Sequence, residues 1–307
     1  MVREPLMSGF PPPSESRATL ANWQDPPYNR WSFQHLRELI PTQRISRGHG
    51  PRSALGQQHG GSAGLDDVTV YRLAGQTSTF AEVIAETWTD AVVVLQDGQI
   101  VLEQYFNGMT AETPHLLMSV TKSVVGCIAG VLVEQGLLDP DKQANSYVPE
   151  IVGSGYDGAT VRHLLKMRTG VAFREEYTNP DSEERVVERF MGWRPGEDDH
   201  EARGMYFYLT KVGTDTDHGG PFVYRSADTD MLGWVCERAA GARMADLISL
   251  LIWQPMRAEF DAEITCDGVG SAIHDGGMSG RVRDLARFGQ LILEDGYVHG
   301  ASIVPER

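Results

Sequence analysis

A chain of 307 residues, 41% hydrophobic and 22% charged, carries enough apolar material for one large or two moderate domains with a sizeable core. Its formal net charge of −15 disfavours nucleic acid and anionic membrane surfaces as partners, because both repel an acidic surface. Three cysteines (Cys127, Cys236, Cys266) without CxxC spacing, no apolar leader with a cleavage site and no run approaching ~18 apolar residues point to a reducing, cytoplasmic location.

Residues 1–66 are Pro-rich and then Gly-rich. "SGFPPPSES" and "GHGPRSALGQQHGGSAGLDD" offer no periodic face and read as a partly irregular N-terminal arm, with one short helix over "RWSFQHLRELI". "TSTFAEVIAETW" predicts a helix capped by Ser78 or Thr79. In "DAVVVLQDGQIVLEQYF" two β-branched runs flank Asp97-Gly98, which predicts a hairpin. "HLLMSVTKSVVGCIAGVLVEQG" (115–136) reads as a helix with a polar mouth and an apolar body, stopping at Gly136. "ATVRHLLKMRTG" and "SEERVVERFMGW" are helical stretches between Gly, Pro and Asp clusters, and the acidic run "DSEERVVER" reads as a solvated helix face. "TDMLGWVCERAAG", "ARMADLISLLIWQPM" and "RVRDLARFGQLILEDG" complete the helices. This order predicts an α/β body over 67–145 and 235–307, interrupted by an α-rich lobe over 146–234.

Ser119 and Lys122 lie three positions apart on one face of the 115–136 helix, at its mouth. A capping serine beside a surface lysine is the ordinary meaning of such a pair. Here the residues after Lys122 are apolar around most of the helix, and lysine is scarce, with four among 27 basic residues. An ammonium drawn toward such a core tends to lose its proton, and a neutral amine can take one from a neighbouring hydroxyl. The helix N-terminus adds N–H groups where an acyl oxyanion would form. Nucleophile, base and part of an oxyanion hole are thus expected from one turn.

"LLMSVTKSVVG" resembles the first motif of the serine β-lactamase and penicillin-binding protein superfamily. The likeness extends through "NWQDPPYNRWSFQHLRELIP", "SYVPEIVGSGYDG", "FVYRSADTDMLGWVCERAAG" and "GGMSGRVRDLARFG" to the branch that hydrolyses nylon oligomers. The resemblance implies a β-lactamase/transpeptidase-like α/β fold, an antiparallel sheet flanked by helices with an α-rich lobe. Tyr224-Arg225-Ser226 matches the second motif in the form Y-x-S, which gives Tyr224 the role of proton donor to the leaving group and places Ser226 at the substrate. By the same resemblance Tyr177 matches a tyrosine on a loop that closes over the substrate. Glu188 stands where the relative has an aspartate for a substrate ammonium, and Asp275 where it has an asparagine. The third motif, a K/H-T/S-G strand segment, is not found: His299-Gly300 comes too early and the "HGG" at 218–220 precedes Tyr224. The expectation is a C-terminally truncated chain lacking its last strands, an unpaired sheet edge and no second oxyanion donor.

"GGSAG" around Ser62 fits G-x-S-x-G but sits in a Gly-rich linker rather than at a strand-to-helix elbow. The histidines and cysteines show no metal-binding spacing, and no cofactor or metal is expected. The reading is therefore a serine hydrolase that cleaves a linear amide through an acyl-enzyme on Ser119, with a small-molecule amide or ester as partner and a homodimer as one possible state. The alternatives are a carboxylesterase or D-amino-acid peptidase of the same superfamily, or an inactive remnant.

Overall fold

A computed structural model describes residues 5–57, 66–196 and 200–305; the Ser62 motif lies outside them. In the N-terminal arm a 3-10 turn over Ser14–Ser16 comes first, and α1 (Asn29–Ser32) with a second 3-10 turn over Leu36–Glu38 replaces the continuous helix expected there. β1 (Thr42–Ile45) and β2 (Gly56–Gln57) follow, then the ribbon β3 (Thr69–Tyr71) and β4 (Thr77–Thr79). In α2 (Phe80–Glu86) Thr79 is the cap, its hydroxyl accepting from the Glu82 N–H while the Glu82 side chain accepts from the Thr79 N–H. β5 (Ala91–Gln96) and β6 (Gln99–Tyr105) form the expected hairpin, with positive φ at both Asp97 (51°) and Gly98 (72°), as a tight right-twisted turn requires.

β7 (His115–Leu116) leads into α3 (Val120–Glu134), and α4 (Val161–Leu165), α5 (Glu183–Phe190) and α6 (His200–Leu209) occupy the middle of the chain. α7 (Ser226–Ala240) runs unbroken through position 235, where the sequence pattern divides lobe from body. α8 (Met244–Ile248) continues as a π-turn over Ser249–Trp253. β8 (Ala262–Thr265), β9 (Met278–Gly280), α9 (Val282–Leu293) and the ribbon β10 (Tyr297–Val298) and β11 (Ala301–Ser302) close the described chain. One antiparallel sheet has the order β1-β8-β9-β7, and a second has the order β2-β6-β5, with β2 parallel to β6. β8 is buried at all four residues, as a central strand covered on both faces must be.

The arm is not a loose leader. Trp23, Ile40 and Ile45 are in the core, and the Trp23 indole N–H donates to the Trp193 carbonyl at 2.6 Å. Core and site meet at α3 and α7. Thr121, Val124, Val125, Ile128, Ala129 and Leu132 form the buried stripe of α3, spaced three and four apart, and α7 is buried from Ser226 to Cys236. Gly233 lets α7 meet the chain behind the site, since a Cβ there would stand 2.1 Å from the His274 ring. No helix among the described residues is long and apolar enough to cross a membrane.

A helix buried all round must pair its polar groups internally. Asp228 accepts from the Thr169 hydroxyl at 2.6 and 2.8 Å and from the Tyr156 phenol at 3.3 Å. Burial pushes its carboxyl up to about 7 despite those donors and the Arg225 charge. A carboxyl near 7 when folded and near ~3.9 when unfolded keeps its proton only in the native state between those values. Its contribution to stability is full below the unfolded value and is lost as pH rises through the folded one. We expect a fall of at most about 1.4 kcal/mol per pH unit across this window, and expect Asp228→Asn to remove it. Urea unfolding at several pH values measures the slope; a slope unchanged in the variant would assign it elsewhere.

Candidate active site

The chain leaves β7 and enters α3 through Met118, whose φ of 46° is unusual for a side chain with a Cβ and costs about 1–2 kcal/mol. The bend leaves Ser119 exposed at the helix mouth. Ser119 occupies the cap position, but its helical φ and ψ (−63°, −6°) differ from the extended backbone of a capping serine, and its side chain makes no capping bond. The Val120, Thr121 and Lys122 N–H groups are instead taken by the carbonyls of Leu117, Met118 and Ser119. They are not open to an oxyanion as expected from the sequence; the remaining donor at the mouth is the Ser119 N–H itself.

The Ser119 hydroxyl is therefore free for another partner, and the Lys122 Nζ donates to its Oγ at 3.1 Å. The same ammonium donates to the Asp275 carbonyl at 2.8 Å, lies 3.5 Å from Asp275 Oδ2 and stands 5.2 Å from the centre of the Tyr224 ring. Its side chain is only 9% exposed. Burial alone would pull its proton affinity down, but the Asp275 carboxylate, with smaller help from Tyr224 and Asp230, outweighs burial and holds Lys122 above the ordinary lysine range. The lysine is thus held as an ammonium, not the neutral amine that burial by itself predicts. The carboxylates that reverse the expectation arrive from more than a hundred residues away.

Tyr224 is half-exposed at the start of the segment that becomes α7, and Ser226 is buried two residues on. Tyr177 is exposed, and its phenol donates to Glu175 Oε2 at 2.6 Å. Glu175 Oε1 accepts from the Ser226 N–H, so one carboxylate ties the Tyr177 loop to the foot of α7 beside Tyr224. Burial and this bond push the Tyr177 phenol upward, keeping it protonated. Glu175, Tyr177, Tyr224 and Arg225 line a cleft of about 860 Å³.

Glu188 is buried and already paired. Arg185 donates to both of its oxygens at 2.8 Å, Gln24 donates at 2.9 Å, and the Arg194 guanidinium closes on Oε2. Asp275 is buried too, with Oδ1 lacking a hydrogen-bond partner among the described residues. Two buried groups that the sequence did not single out lie within electrostatic reach of Lys122. Asp230, fully buried on α7, accepts the His274 and Asp275 N–H groups, each at 3.0 Å, through Oδ1. Glu184 is buried on α5, where the run expected to be solvated turns Glu184, Val187 and Glu188 inward. The spacing of Val187 and Phe190 marked that face, but not the two glutamates on it. His274 lies behind, its Nε2 at 2.8 Å from the Tyr206 phenol; burial holds the imidazole below its ordinary range and neutral.

A serine at a helix mouth with a lysine one turn on and a tyrosine against the same lysine are the arrangement of a serine hydrolase of the β-lactamase type. The profile of the Beta-lactamase family matches residues 80–303, and the chain belongs to that family. It is 36% identical to the 6-aminohexanoate-dimer hydrolase of Paenarthrobacter ureafaciens over 97% of this chain and 73% of the relative. The solved structure of a Bacillus anthracis protein named as a candidate 6-aminohexanoate-dimer hydrolase superposes with a TM-score of 0.87. That match is 28% identical and covers 96% of this chain and 76% of the other. A candidate β-lactamase from Bacteroides dorei, 19% identical, shares the fold alone, with a TM-score of 0.56 over 73% of this chain and 66% of its own.

The Asp230 carboxyl holds the two peptides that precede the one whose carbonyl accepts from Lys122. Asp230→Ala should leave two buried N–H groups unpaired and destabilise the chain by about 2 kcal/mol or more, whereas Asp230→Asn, which keeps an acceptor at Oδ1, should lose less. Urea unfolding of the two variants side by side checks the order; equal losses would count against the acceptor role.

Proposed function

We propose that this hydrolase cleaves a linear amide, related to the one its Paenarthrobacter relative is named for, through an ester intermediate on Ser119. One observation carries the reading: the Ser119 hydroxyl, released from capping, lies 3.1 Å from the Lys122 amine. Ser119 Oγ attacks the amide carbon, and its proton moves to Lys122 once that lysine has given up its own. Tyr224, against the same amine, returns a proton to the departing nitrogen, and water then releases the acid. The Ser119 N–H is the donor offered to the developing oxyanion, and preorganised donors of this kind account for about 3–4 kcal/mol of barrier lowering.

Because the resting lysine is held as an ammonium by Asp275, Tyr224 and Asp230, turnover of an uncharged substrate should rise with pH through the alkaline range as that proton leaves. Ser119→Ala should abolish turnover, and a fluorophosphonate should add mass to the peptide that contains residue 119 and to no other. Lys122→Ala should lower kcat by about 10²–10⁴. Measured activity in the Ser119 variant, or labelling at a different serine, would overturn the assignment.

A further inference from the structure

Tyr224 is delivered by an irregular strap, residues 213–223, lashed to the turn that follows α4. The Gly213 carbonyl accepts from the Ala172 N–H at 2.8 Å, and the Asp215 and Thr216 N–H groups donate to the Gly170 carbonyl at 2.8 and 3.0 Å. Further on, the Gly219 N–H donates to the Arg168 carbonyl at 2.8 Å. The Val223 N–H donates to the Met167 carbonyl at 3.0 Å, one residue before the tyrosine whose ring stands against Lys122. The fit is close: a Cβ on Gly170 would stand 1.8 Å from the Thr216 carbonyl oxygen.

Two histidines finish this lashing, each through a ring nitrogen that bears no proton. His218, on the strap, accepts the Gly170 N–H at Nδ1 (3.0 Å) and donates from Nε2 to the Asp157 carbonyl (3.0 Å). His163, on α4, accepts the Thr160 N–H at Nδ1 (3.2 Å). An imidazole accepts only at an unprotonated nitrogen, so both bonds belong to neutral rings. The two rings lie 5.9 Å apart, centre to centre. Arg168, which donates to the Gly219 and Gly220 carbonyls, adds a fixed positive charge at the same spot, whereas Arg162 on α4 is turned to Asp141. Burial first, and then His218 and Arg168, hold His163 below the ordinary histidine range. Asp157 attracts a proton to His218, but its carboxylate faces the Asn145 amide and the Gly153 N–H.

We propose that His218, with His163 beside it, is a proton-operated latch on the 213–223 strap and so a positioning residue for Tyr224. A proton arriving on His218 Nδ1 turns that nitrogen from acceptor to donor. It then faces the Gly170 N–H donor against donor, where the strap lies tightest. A proton on His163 does the same to the Thr160 N–H and sets a second cation beside His218 and Arg168. The neutral rings belong to the closed strap, so its hold is full at neutral pH and is lost as pH falls through the histidine range. Tyr224, tied through Val223, then loses its place against Lys122. The proposal deepens the amidase reading and rests on it for the consequence to turnover, but not for the latch itself.

Hydrogen exchange of the whole chain, followed by mass spectrometry and divided by the intrinsic rates, reads the latch without chemistry. Between about pH 7.5 and about pH 5.5 the 213–223 peptide should lose about ten-fold in protection while the α3 peptides keep theirs. His218→Gln, whose amide accepts from Gly170 and donates to Asp157 without taking up a proton, should hold its protection at both pH values. His163→Gln, which makes an ordinary Thr-x-x-Gln capping box, should move the loss to lower pH. A wild-type strap equally protected at both pH values overturns the proposal, as does a loss of the same size in His218→Gln. Should that variant not fold, a loss at unchanged pH in His163→Gln overturns it instead. For turnover, an anilide needs a proton on its leaving nitrogen and a p-nitrophenyl ester does not, so the ratio of the two rates separates Tyr224 from Lys122. The ratio should fall about ten-fold over the same interval in the wild type and stay level in His218→Gln. A level ratio in the wild type would overturn the link to Tyr224. No turnover of any anilide at any pH would refute the amidase reading, and exchange alone then decides the latch.

Discussion

The direction of one backbone carbonyl governs the site. Lys122 is held at the helix mouth by the Asp275 oxygen, and that oxygen points where it does because a fully buried carboxyl on α7 grips the two N–H groups on the same turn. α7 thereby fixes both sides of the cleft: Asp230 sets the lysine's acceptor, and the segment just before the helix carries Tyr224. The helix tolerates two buried aspartates because each is given donors, Asp228 from hydroxyls in the middle of the chain and Asp230 from the turn that precedes β9. Removing either set of donors would leave a charge or an open acceptor in the interior, where water cannot replace them.

The local parts of this arrangement were legible in the sequence. The Thr79 cap, the Asp97-Gly98 hairpin and the shared face of Ser119 and Lys122 depend on residues a few positions apart, and regular geometry carries them from sequence to structure. The motif order placed Tyr224 near the lysine in the same way, through a pattern rather than a contact. What stayed hidden is set by distance along the chain. The protonation of Lys122 depends on Asp275 and Asp230, and the inward turn of Glu184 depends on what covers α5, so a run of acids that looks solvated by composition is divided in space. Glu188 shows the same limit from the other side: nothing in "DSEERVVERFMGWR" says that two of its arginines fold back onto that carboxylate.

Two ways of settling a buried carboxylate stand four residues apart on α5. Arg185 and Arg194 pair with Glu188, whereas Glu184 Oε2 has no hydrogen-bond partner among the described residues. Well-paired buried charges lock a geometry, whereas unpaired ones store a demand for a partner.

The N-terminal arm has a practical consequence. Trp23 is anchored to Trp193, Gln24 completes the shell of Glu188, and Thr42 to Ile45 shield β8 from becoming a bare edge. Trimming the arm to obtain a shorter expression product would therefore do more than shed irregular chain. It would strip a tryptophan from the interior, uncover a strand prone to sticking to its neighbours, and slacken the arginine brace behind the cleft.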